Sequence, residues 1–111
     1  MDTAPQEHLL QSIYRIFPDF EAEWAEHNSE PELRTYSLHS VYMAFLPWVS
    51  VAAITHGQLN QLADLLSNEV AKGGDPENAV DTCFLEHAHQ TGIAKRLGPF
   101  LSTQAKAMLY A

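Results

Sequence analysis

The sequence predicts an all-α protein: one compact domain over residues 1–111, with five to seven helices in an orthogonal or bundle-like array. Three observations predict it. Apolar residues recur at steps of three and four along most of the chain. No stretch alternates apolar and polar residues with the period of two that a half-buried strand requires. Hydrophobic residues make up 46% of the 111 positions, enough for a core and too many for a disordered chain.

Each element follows from local signals. Leu9, Ile13, Ile16, Phe17, Phe20 and Trp24 fall on one helical face. Pro18 interrupts that run. Proline has no amide hydrogen and is tolerated in a first turn, so the spacing predicts one helix from about Pro5 to Phe17 and a second from about Pro18 to His27. His27 to Pro31 reads as a turn, with Ser29 or Glu30 leading into the next helix. The third segment, Glu32 to Thr55, turns apolar on all sides after Val41, the pattern of a central buried helix. Pro47 is expected to kink or break it. Thr55-His56-Gly57 reads as a stop.

A fourth helix is predicted from about Gln58 to Lys72, with Leu59, Leu62, Leu66 and Val70 inward and Gly73-Gly74 as its end. Asp75-Pro76-Glu77 reads as a cap followed by proline and acid in a first turn. The fifth helix carries Val80, Cys83, Phe84 and His87 on its inward stripe and closes at Thr91-Gly92. A short basic linker containing Gly98-Pro99 leads to a last helix from Ser102 to Tyr110, with Ala105, Met108 and Leu109 inward.

Charge is distributed unevenly. The chain has 14 acidic and 6 basic residues, a formal net charge of -8. Eight of the acidic residues lie between Asp2 and Glu32, against Arg15 alone. Beyond Glu32 the two signs nearly balance. This composition argues against a nucleic-acid surface, which needs Lys and Arg to neutralise phosphates, and against binding to anionic membranes. It favours cationic partners, including basic proteins. The longest apolar stretch, Val41 to Ile54, is too short to span a bilayer. MDTAPQEH lacks the basic-then-apolar order of a signal peptide, and the single Cys83 allows no intrachain disulfide. A cytoplasmic protein is expected.

Asp19, Glu23, Glu26 and Glu30 recur at spacings of four, three and four, which on a helix makes one acidic stripe. With Glu32 they are the candidate partner-binding residues. A solvated face is the plain alternative. No catalytic site, metal or cofactor is predicted. His87 and His89 are two apart and point to different faces, while His8, His27, His39 and His56 are isolated. Cys83 and His87, four apart, could touch on one face, but Cys83 is expected to act as a small core hydrophobe. Glu69 or Glu86 is expected to be partly buried and paired with Arg34, Lys95 or Arg96. Tyr36, Tyr42, Phe45 and Trp48 are read as core in preference to a ligand pocket.

Several segments carry a resemblance. They are Ile16-Phe-Pro-Asp-Phe20 with Trp24, Glu69-Val-Ala-Lys-Gly-Gly-Asp75, Glu77-Asn-Ala-Val, Cys83-Phe-Leu-Glu-His87 and Leu97-Gly-Pro-Phe-Leu101. Together they resemble a group of small, acidic, all-helical bacterial proteins, some of which are immunity proteins encoded beside polymorphic, contact-dependent toxins. The matching positions are helix ends and core residues, so the resemblance speaks to fold more than to activity. It implies an immunity protein, or antitoxin, that binds a cognate toxin domain and occludes its active site. A cationic nuclease domain would suit the acidic stripe. The alternative is a helical adaptor or regulatory module with no enzymatic activity. A small enzyme using Glu86 and His87 is a third reading.

Overall fold

Helix starts in this chain are set by short polar side chains that satisfy otherwise unpaired amides. The computed structural model describes residues 5–27 and 37–110. Ser37 accepts from the Ser40 amide while the Ser40 hydroxyl accepts from the Ser37 amide, and this reciprocal pair opens α3 (Leu38–Val51). Thr55 and Gln58 form the same arrangement at the start of α4 (His56–Lys72), at 2.9 and 3.0 Å. Thr55-His56-Gly57 is therefore a helix start and not the expected stop. Ser102 caps α8 (Thr103–Leu109) through the Ala105 amide at 3.1 Å.

The first two helices are α1 (Pro5–Ile16) and α2 (Phe20–His27). Between them the Phe20 amide donates to the Phe17 carbonyl at 3.0 Å, closing a tight turn around Pro18 and Asp19. Pro18 thus sits in the turn and not in the first turn of α2. The bend carries Phe17 and Phe20 into the same part of the core. Phe20 lies 5.1 Å from Phe45 and 5.3 Å from Trp48, centroid to centroid. Phe17 lies 5.6 and 5.9 Å from the same two rings.

α3 is the central rod. It packs against α1, α2, α5 (Gly74–Val80) and the wide turn that follows α5. Val41, Tyr42, Phe45 and Val49 are fully buried. Pro47 does not break it: the helix runs through the proline. The amide that Pro47 lacks would have served the carbonyl of Met43, an exposed residue, so water can take the place of the missing donor. Of the four aromatic residues read as core, Tyr42 and Phe45 are buried and Trp48 is half-buried, while Tyr36 lies outside the described residues.

Gly73 and Gly74 take positive φ, 72° and 57°, which lets α4 end and α5 begin without a loop. Gly73, and not Asp75, therefore precedes α5, with Asp75 and Glu77 in its first turn. α5 continues through a π turn, Asp81–Leu85, into α6 (Glu86–Ala88) as one rod. The Glu86 amide reaches back to the Asp81 carbonyl, five residues earlier. A π turn holds about one residue more than an α turn, so the inward stripe advances by one position beyond it. Val80, Phe84 and Ala88 are buried, and His87, expected on that stripe, is exposed.

Gly92, at φ 83°, reverses the chain into α7 (Ile93–Leu97). A 3-10 turn, Gly98–Phe100, then leads to α8. The expected basic linker is thus helical: Ile93, Ala94 and Leu97 are buried, while Lys95 and Arg96 face outward. Among the described residues all regular structure is helical, and the buried apolar side chains form one continuous core. The Cα radius of gyration, 13.4 Å, matches the value of about 13 Å expected for a single globule of this length. No helix among the described residues is long and apolar enough to cross a membrane.

Candidate functional site

Three of the five candidate partner-binding residues lie among the described residues. Asp19 is exposed in the turn before α2, Glu26 is exposed on α2, and Glu23 is half-buried in the first turn of α2, where it is engaged by a neighbour. Glu30 and Glu32 lie outside the described residues. Glu21 is also exposed on α2, two positions before Glu23 and five before Glu26, and so lies on the other flank of the helix from their stripe. Phe20 and Trp24 occupy the opposite, buried side. Asp19, Glu21 and Glu23 gather at the N-terminal end of α2, where the helix dipole is positive and lessens their mutual repulsion. Among the described residues no basic side chain forms an ion pair with Asp19, Glu21 or Glu26.

A second constellation was not foreseen. Cys83, half-buried in the π turn, does not meet His87. Its Sγ lies 3.1 Å from Nδ1 of His39, in the first turn of α3. Thr82 Oγ1 lies 3.4 Å from the same nitrogen and donates to the Asn78 carbonyl at 2.8 Å. The Asn78 side-chain amide lies 3.5 Å from His39 Nε2 on the far side of the ring. The imidazole is thus held at both nitrogens, one by the thiol and a hydroxyl, the other by an amide. The signal for His39 was its place three and seven residues before Tyr42 and Leu46, at the edge of the inward stripe of α3.

Beside the thiol runs an open groove of about 520 Å³. Met43, Leu46 and Pro47 of α3 make one wall, and Cys83, His87, Gln90 and Thr91 make the other. A separate groove of about 540 Å³ at the other side of His39 is lined by Ser37, Leu38 and the Lys72–Pro76 turn.

The buried charge is Glu69, on α4, 5% exposed. It pairs with Lys72, one turn on, and not with Lys95 or Arg96; Arg34 lies outside the described residues. Helix spacing explains this: residues three apart on α4 meet without any tertiary contact. Glu86 is exposed. Burial, and next the Glu69 carboxylate, push the Tyr42 hydroxyl well above the ordinary tyrosine range. Arg96 donates to the Ile54 carbonyl at 3.5 Å. His89 meets the Leu109 carbonyl through Nε2 and packs on Tyr110. Among the described residues no group of three or more His, Cys, Asp or Glu side chains is disposed to hold a metal ion. No protein-family model, no curated protein and no solved structure matches the chain.

Proposed function

We propose that the chain is an immunity protein that binds a basic toxin domain through the acidic outer face of α2. The observation that supports this reading is that Asp19, in the turn before α2, and Glu26, on α2, are exposed on one flank, with Glu21 exposed on the other, none of them in an ion pair among the described residues, and that the helix is anchored from behind by buried Phe20 and Trp24. Anchoring matters because a docking surface must hold its geometry before the partner arrives. A net charge of -8 would steer a cationic partner over long range and speed association at low salt. A nuclease domain grips phosphate with basic residues, so an acidic face can occupy that surface and block it. Glu30 and Glu32 extend the same acidic segment in sequence.

Capture with the tagged full-length chain from its host, followed by paired substitution, tests the reading. The wild-type chain should retain a basic protein that is toxic when expressed alone and harmless when co-expressed. Binding should weaken as salt rises, and Asp19→Lys with Glu26→Lys should abolish both retention and protection. Unchanged affinity and unchanged salt dependence in the double variant would rule out this face as the interface.

A further inference from the structure

We infer that Cys83 is an acyl-acceptor thiol: His39 takes its proton, and the adjoining groove seats an aliphatic acyl group delivered as a thioester. The thiol is neither buried inertly nor isolated. It is half-exposed, lines an open groove, and has a basic nitrogen at 3.1 Å. That distance suits direct proton transfer. The two residues are 44 positions apart in sequence, and Cys83 lies within a π turn, an irregularity that recurs at functional sites.

The surroundings supply the other parts of a nucleophile site. With its proton on Nε2, His39 leaves Nδ1 free to accept from the thiol. Asn78 then receives the Nε2 proton through its carbonyl oxygen once the amide is turned over, a choice of orientation that the hydrogen-bond network decides. After transfer, Nδ1 carries a proton that Thr82 Oγ1, at 3.4 Å, can accept in a hydrogen bond.

The groove indicates the substrate class. Its α3 wall is Met43, Leu46 and Pro47, and Met43 is left 65% exposed. Among the described residues no Asp, Glu, Lys or Arg lines it, so a charged group would find no counter-ion among them. Its volume of about 520 Å³ lies within the usual small-molecule range of about 300–1,000 Å³. The wall that carries Cys83 also carries His87 and Gln90, whose side-chain N–H groups are able to donate a hydrogen bond to an acyl carbonyl in the groove.

The step balances without any redox partner. Sγ attacks the carbonyl carbon of the thioester as its proton passes to His39 Nδ1. A new S–C bond forms, the bond from carbon to the donor's sulfur breaks, and the departing thiolate takes the proton from His39. One thioester replaces another, with Cys83 acylated and the donor released as a thiol.

Octanoyl-coenzyme A and acetyl-coenzyme A, each incubated with the full-length chain and followed by intact mass, test the inference. The expected result is one octanoyl group on Cys83, removable by neutral hydroxylamine, absent in Cys83→Ser, and formed at least about tenfold faster than the acetyl adduct because the chain is buried in the groove. His39→Gln should slow acylation about 100-fold or more, as loss of a general base does. Met43→Glu should bring the octanoyl and acetyl rates together. The same chain unfolded in urea reports the reactivity of an unassisted thiol and removes any dependence on variant folding. A folded-state rate no higher than the unfolded rate, or equal rates for the two acyl groups in the wild-type chain, overturns the inference.

Discussion

The hydroxyl of Tyr42 is fully buried, finds no hydrogen-bond partner among the described residues, and is raised in pKa by burial and next by the Glu69 carboxylate. An orphaned polar atom in a core costs desolvation with nothing returned. Tyr42→Phe removes the oxygen and keeps the ring against Phe84, 6.0 Å away. The variant should be more stable than the wild type by about 1 kcal/mol, read from urea denaturation midpoints at constant slope. A loss of stability would mean that the hydroxyl has a partner.

The same residue sets an alkaline limit. In the unfolded chain the phenol loses its proton near about pH 10, whereas folded Tyr42 keeps its proton to higher pH. Above that point the native state binds more protons than the unfolded state, so stability must fall as pH rises. Its contribution is complete below about pH 10 and declines above it, with a slope approaching about 1.4 kcal/mol per pH unit. Subtracting the Tyr42→Phe profile from the wild-type profile between pH 8 and 11 should isolate that slope, an interval chosen as roughly one to two units either side of the ordinary phenol value.

Phe20 and Glu26 share α2 and should behave oppositely. Phe20 is fully buried and touches Tyr14, Trp24, Phe45 and Trp48, so Phe20→Ala should cost about 3–5 kcal/mol through lost contacts and the cavity left behind. Glu26→Lys on the outer face should change stability by less than about 0.5 kcal/mol. Thermal unfolding of the two variants separates core residue from surface residue on one helix. It also shows whether lost partner binding in a Glu26 variant reflects the surface alone.

Thr55→Ala removes half of the reciprocal cap that opens α4. The Gln58 amide loses its acceptor, and stability should fall by about 1 kcal/mol. Hydrogen exchange should locate the effect in the first turn of α4, leaving the protection of Leu62 and Leu66 intact. Uniform loss of protection along the helix would contradict a local capping role.

Most of this fold was legible because helical signals are local. The stripe of Leu9, Ile13, Ile16, Phe17, Phe20 and Trp24 is buried as its spacing implies, Ile16 only in part, and so is the stripe of Leu59, Leu62, Leu66 and Val70. The misreadings fell where one residue type serves two purposes. Thr55-His56-Gly57 resembles an ending because glycine follows it, yet the Thr55 hydroxyl and the Gln58 amide side chain make it a beginning. Pro47 suggested a break, yet the helix runs through it, with Phe45 and Val49 buried on either side and the carbonyl left without a donor belonging to exposed Met43. The thiol–imidazole contact was not legible, because His39 and Cys83 are 44 positions apart and a one-residue change of phase lies in the π turn. A strict helical period assigns Cys83 to His87, four residues on. The acidic face was legible as composition, although Glu21 and the half-burial of Glu23 required knowing that α2 starts at Phe20.

The π turn at Asp81–Leu85 also bears on what lengths of chain this fold accepts. It stores about one amino acid of surplus backbone in an otherwise continuous rod. A single-codon deletion of Cys83 would leave a plain α-helix in which Val80, Phe84 and Ala88 still share one face, since they would then stand three and seven positions apart. The rod can therefore be read as an ordinary helix with one residue added at its middle. The added residue lies within the segment that carries the thiol, and a rod one residue shorter there would close as a plain helix.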